Sequence, residues 1–74
     1  MLEIRIVGSL WEHLEPRLEL DLEGRDITVA GLIARLGIDQ AEVGIVTVDG
    51  RQSRMDGIVQ PNSRVFIFPP MFGG

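Results

Sequence analysis

The chain has 74 residues, 45% of them apolar, and a formal net charge of −4 at pH 7. This length suits a single small domain, and the acidic balance argues against nucleic-acid binding, which needs a basic face. Because cysteine is absent, disulfides and thiolate metal sites are excluded, and a reducing compartment is expected. The charged start lacks a signal-peptide core, and no run reaches the roughly 20 apolar residues of a membrane span. We therefore expect a cytoplasmic protein that does not contact membranes.

Two segments of alternating polarity open the chain and predict an antiparallel pair of strands. Residues 2–7 and 17–22 each place apolar side chains on one face, namely Leu2, Ile4, Ile6, Leu18, Leu20 and Leu22. The connection between them carries Trp11 and is closed by Pro16. We expect a loop or a short helical turn there, whose apolar residues cover one end of the core.

A change of period from two to 3.6 predicts one short helix of about ten residues. Thr28 is placed to cap its N-terminus, and Gly37 is placed to end it in a left-handed conformation. Gly31 is unfavourable inside a helix, so we expect the helix to pack closely on the sheet at that point. The apolar face of the helix comprises Val29, Leu32, Ile33 and Leu36.

Turn signals divide the rest of the chain into strands. Residues 44–48 form an apolar segment, Asp49-Gly50 predicts a hairpin turn, and residues 51–54 could form a short further strand. A turn at Pro61-Asn62-Ser63 precedes the last strand, residues 64–68. The resulting ββαββ order, with one short extra strand, predicts an α+β fold in which a mixed sheet packs on one helix.

The chain changes character after residue 68. Residues 1–68 form the predicted domain, and residues 69–74 form an extended tail made of Pro69, Pro70, Met71, Phe72, Gly73 and Gly74. The prolines restrict φ and stiffen the start of the tail, whereas the glycines have no side chain. Such a tail can pass a terminal carboxylate through a narrow channel of another protein. An incidental, loosely held terminus is the alternative interpretation.

Phe66 and Phe68 alternate with Val65 and Ile67 in the last strand. If the aliphatic pair faces the helix, both phenylalanines lie on the outer face of the sheet beside the tail, where exposed aromatic side chains would bind a partner. Residues of the same parity on other strands could extend this patch, namely Arg5, Val7 and Thr47. Alternatively, Trp11 or the loop at residues 52–60 covers the phenylalanines.

No other pattern in the sequence predicts catalysis or metal binding. His13 lies near Glu12 and Glu15, but one histidine without cysteine makes a poor ligand set. No triad or phosphate-loop pattern occurs. We therefore expect no metal and no cofactor bound by the chain itself.

Taken together, these features resemble the ubiquitin-like β-grasp sulfur carriers. That family includes the small subunit of molybdopterin synthase and the sulfur carrier of thiamine thiazole synthesis. Tails of the thiazole carriers usually lack the proline pair, so the chain is more similar to the molybdopterin subunits. The matching residues are Thr28, Val29, Leu32, Leu36, Val48-Asp49-Gly50, residues 65–68, Pro69-Pro70 and Gly73-Gly74.

The resemblance implies a carrier subunit rather than an enzyme, with a β-grasp fold. A separate ubiquitin-activating-type adenylyltransferase would use ATP to adenylate Gly74, and sulfur transfer would then give a C-terminal thiocarboxylate. A sulfur-accepting synthase subunit would receive this sulfur in molybdopterin or tungstopterin biosynthesis. Gly73 would allow the tail to pass, and the partner-binding residues would be Phe66, Phe68, Pro69, Pro70, Met71 and Phe72.

Three alternatives stay open at the level of sequence. The sulfur could go to thiamine thiazole or to another sulfur pathway. The chain could be a ubiquitin-like modifier that is conjugated through Gly74 to lysines of other proteins. It could also be a β-grasp interaction module that carries no sulfur.

Overall fold

The computed structural model describes residues 1–70. A five-stranded sheet has the order β2-β1-β7-β4-β5, and a second sheet pairs β3 with β6. The central strands β1 and β7 run parallel, and the other neighbours are antiparallel. In chain order the elements are β1 (Leu2–Ile6), β2 (Arg17–Leu20), β3 (Ile27–Thr28), α1 (Val29–Arg35), a 3-10 turn (Gln40–Glu42), β4 (Ile45–Val48), β5 (Arg51–Ser53), β6 (Ile58–Val59) and β7 (Arg64–Phe68).

The helix packs against one face of the large sheet, and the predicted alternation decides which side chains lie between them. Val65 and Ile67 of β7 are fully buried, as are the helix residues Leu32 and Ile33. Leu2, Ile4 and Ile6 of β1 are buried on the same side. The predicted inward face of the strands is therefore confirmed at the centre of the sheet. A mixed sheet that holds one helix is the predicted β-grasp architecture.

The second strand is shorter than residues 17–22, because it ends at Leu20. β2 is an edge strand, and Leu18 and Leu20 are accordingly only half-buried. Leu22 lies beyond the strand but is buried in the core. The alternation of apolar and polar residues in the sequence extends beyond Leu20, where the strand pairing ends, because Leu22 packs into the core without belonging to a strand.

The helix spans seven residues instead of about ten, and both of its predicted ends are confirmed. The Thr28 hydroxyl oxygen accepts a hydrogen bond from the Gly31 N–H at 3.0 Å. Gly37 has a φ of 73°, and its N–H donates to the Ala34 carbonyl at 3.0 Å. The Ile38 N–H donates to the Ile33 carbonyl at 3.1 Å. These two bonds form a Schellman motif, which satisfies carbonyls that the helix leaves open.

Gly31 does not mark a close approach of the helix to the large sheet, and that prediction was wrong. A Cβ at this position would lie 3.1 Å from Ile27 Cγ1 and 3.1 Å from the Thr28 hydroxyl oxygen. The crowding therefore comes from the capping residue and from the short strand before it.

The small sheet of β3 and β6 was not predicted from the sequence. Ile27 pairs with Val59, and Thr28 pairs with Ile58. The segment before β6 also holds the helix start, because the Gly57 and Met55 carbonyls accept from the N–H groups of residues 29 and 30 at 2.9 and 2.8 Å. Two amides of the first helical turn, which have no partner within a helix, are satisfied in this way.

The predicted hairpin after β4 is present, and residues 51–53 form the short strand β5. Asp49 and Gly50 have φ values of 51° and 84°. Both residues of a type I′ turn need positive φ, which glycine and aspartate tolerate. The Asp49 side chain also accepts a hydrogen bond from the Arg64 N–H at 2.9 Å. The hairpin turn is thereby tied to the first residue of β7.

The connection between β1 and β2 covers one end of the core, as expected. Trp11 is only 5% exposed and belongs to the same buried cluster as the helix residues. His13 is exposed, and its Nε2 donates to the Leu36 carbonyl at 3.2 Å at the end of the helix. In the part of the chain that the structure describes, no helix is both long and apolar enough to cross a membrane.

Candidate functional site

The outer face of the large sheet lies opposite the helix and carries side chains of mixed chemistry. The strand registers place residues in rows across this face. A central row runs from one edge to the other as Arg17, Arg5, Phe66, Thr47 and Gln52. Phe68 pairs with Ile45 in the next row toward the tail. The apolar part of the face is therefore next to the point where the chain leaves the sheet.

Phe66 and Phe68 form an aromatic pair on this face. Their ring centroids are 6.4 Å apart with an interplanar angle of 19°. Both side chains are half-buried, and neither belongs to the core cluster. Trp11 and Val59, the possible covering groups from the loop and from residues 52–60, lie within that cluster instead. The phenylalanines are thus available for contact with another molecule.

Charged side chains border the aromatic pair. The Arg5 guanidinium lies over the Phe66 ring, 6.0 Å from its centroid, a geometry that allows cation–π attraction. One row further from the tail, Arg64 Nε donates to the Glu3 carboxylate at 2.9 Å. This row also contains Glu19, the register partner of Glu3. The docking face, defined here as Arg5, Arg17, Ile45, Phe66 and Phe68, therefore combines an apolar centre with two arginines, and side chains of both charges border it in the next row.

The start of the tail is held by backbone contacts on both sides. The Gly44 N–H donates to the Phe68 carbonyl at 2.8 Å, and the Val7 N–H donates to the Ile67 carbonyl at 2.9 Å. β7 thus stays paired with β4 up to its last residue, Phe68, and with β1 up to Ile67. Pro69 and Pro70 follow and are half-buried. These two prolines are the last residues that the structure describes.

Glycines lie on both sides of Pro69, and one of them, Gly44, makes room for it. A Cβ on Gly44 would collide with the Pro69 carbonyl oxygen and would lie 2.9 Å from Pro70 Cα. Because these are backbone atoms of a proline pair, they cannot move aside cheaply. On the other side, a Cβ on Gly8 would make an ordinary van der Waals contact with Pro69 Cγ at 3.4 Å, and glycine is favoured there by its φ of 83°. Gly44 and Gly8 therefore form a cradle for the tail root, defined as Pro69 and Pro70.

Sequence reasoning missed this cradle, although both glycines stand at strand ends. Gly8 follows β1 and Gly44 precedes β4, and these strands are the two neighbours of β7. The two glycines could be recognised by their position beside the last strand, but this position is known only once the strand order is known. The predicted site residues Met71, Phe72, Gly73 and Gly74 lie outside the described residues.

Within residues 1–70, no three residues of the His, Cys, Asp or Glu type lie close enough together to hold a metal ion. The one buried side-chain polar atom without a partner in this range is Trp11 Nε1, which lies in the core and not on the docking face. The described residues therefore supply a surface for contact and a fixed starting direction for the tail. Neither feature is a catalytic centre.

A sequence profile supplies the remaining information. The profile described as the ThiS family matches residues 4–74. No curated protein matches the chain. Members of the ThiS family are small ubiquitin-like sulfur carriers that work with an activating enzyme and with sulfur-accepting partners. The match covers all of the fold described above except the first residues of β1, together with the tail, so the chain belongs to the ThiS family and is a sulfur carrier rather than an enzyme.

Proposed function

We propose that this carrier bears its sulfur as a thiocarboxylate on Gly74 and donates it in molybdopterin or tungstopterin biosynthesis. The observation that carries the proposal is the tail root, which leaves a central strand between Gly8 and Gly44 at the border of the docking face. A partner that binds the aromatic pair would thereby meet a tail of fixed starting direction.

The chemistry requires activation of the terminal carboxyl, because a carboxylate is a poor electrophile. One carboxylate oxygen of Gly74 attacks the α-phosphorus of ATP in the activating enzyme, and pyrophosphate leaves. A hydrosulfide-level sulfur donor then attacks the acyl carbon, AMP leaves, and the thiocarboxylate remains. ATP is bound by the partner, so the carrier itself needs no cofactor.

The docking face supports the proposal through its position and composition. Phe66 and Phe68 can contribute apolar contact area, and aromatic residues are enriched among those that dominate binding energy. Activation and delivery occur in different partner proteins, so the same face and tail would be used in turn. For this exchange of partners, the docking face must remain accessible in the free carrier. The partly exposed rings of Phe66 and Phe68 meet this condition.

The first experiment is intact-mass analysis of the purified carrier after incubation with ATP, sulfide and the activating enzyme of its host. We expect a mass increase equal to the replacement of one oxygen by sulfur. Deletion of Gly74 should abolish the increase, whereas Ile58→Ala, a change far from the tail root, should not. Absence of the increase in the full chain with every activating enzyme of the host would contradict the thiocarboxylate.

The choice of acceptor is tested separately with the loaded carrier. The proline pair of the tail root supports the molybdopterin assignment, since it is the feature that resembles those subunits. We expect the loaded carrier to convert the sulfur-free pterin precursor in the presence of the large synthase subunit. Transfer to a thiazole-forming enzyme instead would assign the thiamine pathway. Isopeptide-linked adducts in cell extract would assign a modifier.

A further inference from the structure

The docking face carries two arginines side by side. Arg5 of β1 and Arg17 of β2 are register partners in an antiparallel pair. Like charges at directly opposed positions destabilise a pair of strands. The fold nevertheless keeps this arrangement beside Phe66, which lies in the same row. Both arginines stand on a surface that is proposed to bind a partner, where an approaching carboxylate would relieve their mutual repulsion.

Neither arginine has a carboxylate partner within residues 1–70. The ion pairs in this range join Arg64 to Glu3 and Arg54 to Asp56. The central row contains only the two arginines, Phe66, Thr47 and Gln52, and the acidic neighbours Glu3 and Glu19 lie in the next row of the same face. Glu3 is paired with Arg64, and neither carboxylate forms an ion pair with Arg5 or Arg17 within residues 1–70. Two positive charges thus stand together on a chain whose formal net charge is −4.

We propose that Arg5 and Arg17 receive carboxylates of the activating enzyme, next to the apolar contact made by Phe66 and Phe68. This inference rests on the proposed function, in which activation is the first encounter of the free carrier. A partner with acidic groups is repelled by the net charge of the carrier and attracted by this one face. Such complementarity orients the encounter and raises its rate.

The two arginines differ in their surroundings, because β1 is an inner strand and β2 is an edge strand. Arg5 is half-buried and lies over the Phe66 ring. Arg17 is exposed at the sheet edge. A carboxylate approaching the edge meets Arg17 first and can then contact both guanidinium groups. Arg17 is accordingly the better position for a test, because its substitution leaves the aromatic packing intact.

The test is Arg17→Glu in a steady-state activation assay with ATP and the activating enzyme. Arg17 is exposed at the sheet edge, and surface substitutions of this kind usually change stability little, so the thermal midpoint should stay close to its original value. The KM for the carrier should rise about tenfold at low ionic strength, since an attraction is replaced by a repulsion. The kcat should stay close to its original value.

Arg25→Glu is the matched control, since it makes the same change in net charge in the loop after β2, outside the docking face. Its KM should stay within about twofold of the original value. Raising the ionic strength should reduce the difference between the original carrier and Arg17→Glu, because salt screens exposed charges. Equal KM values for the two variants, or a difference that salt does not reduce, would overturn the inference. A lack of activation of the unaltered carrier would instead overturn the proposed function.

Discussion

At the residue scale, the most specific contact in the site is the approach of Gly44 to the tail root. A Cβ on Gly44 would meet the carbonyl group of Pro69 and the Cα of Pro70. The backbone of Gly44 does not require glycine, since its φ lies outside the left-handed region. Glycine is therefore required at position 44 for steric reasons, because any side chain there would collide with the tail root.

Gly44→Ala should redirect the tail and lower kcat/KM for activation by about 10- to 100-fold, since small misplacements of reacting groups have effects of this size. The free energy of unfolding should fall by about 1–3 kcal/mol through overpacking. Pyrophosphate exchange measures kcat/KM for activation, and urea unfolding measures the free energy of unfolding.

Gly24→Ala is the control for loss of stability alone. Gly24 has a φ of 77° but no atom within 4 Å of the added Cβ. The alanine is strained there, so the variant loses stability without touching the tail. If both variants lose activation equally, the cradle has no role in positioning.

Phe68→Ala tests the aromatic pair as a binding surface. Phe68 is half-buried and lies outside the core cluster, so unfolding should be little affected. Affinity for the activating enzyme should fall by about 2 kcal/mol, the size of a hot-spot contact. Calorimetric titration measures this loss. Ile58→Ala is the control, since it removes a side chain that is 57% exposed on another strand, and this variant should bind the activating enzyme with unchanged affinity. If the Phe68→Ala and Ile58→Ala variants bind with equal affinity, Phe68 does not belong to the interface.

At the element scale, the alternation of β1 and β7 and the caps of the helix followed from the sequence. Side-chain parity is a local property, as is the need for Thr28 and Gly37 at the helix ends. The strands β3 and β6 could not be predicted, because each has only two residues, which are too few to show an alternation of apolar and polar side chains. The Gly44 contact with Pro69 depends on strand order and not on either local sequence. The strands that form the site could thus be predicted from the sequence, but the packing of Gly8 and Gly44 against Pro69 could not.

Thr28→Ala should lower the free energy of unfolding by about 1 kcal/mol, because the Gly31 N–H loses its hydroxyl acceptor. Urea denaturation measures the change. Thr28→Ser keeps the hydroxyl group and should retain most of the stability. If the serine variant is as unstable as the alanine variant, then the methyl group of Thr28, and not the cap, provides the stabilisation.

At the scale of the whole molecule, the centre of the sheet joins the two ends of the described chain. Glu3 is the register partner of Arg64, and Ile6 is that of Ile67. Pairing residues so far apart requires closure of a long loop before the contacts form, which slows folding. The helix and the β4–β5 hairpin have local contacts and can form earlier.

Refolding from urea should therefore take milliseconds to seconds, the range of domains rich in non-local pairing. Trp11 is the only tryptophan and is buried in the core, so its fluorescence reports core formation in a stopped-flow experiment. Completion within microseconds would show that the β1–β7 pair does not limit folding.

The parallel pairing of β1 with β7 also has a consequence during synthesis on the ribosome. Translation delivers β1 first, but its central neighbour emerges only after every other described strand. The docking face cannot assemble before Phe66 and Phe68 have left the exit tunnel, and the tail root follows them directly. A nascent chain that stalls before β7 would thus present no surface to the activating enzyme, so truncated carriers would not compete with finished ones.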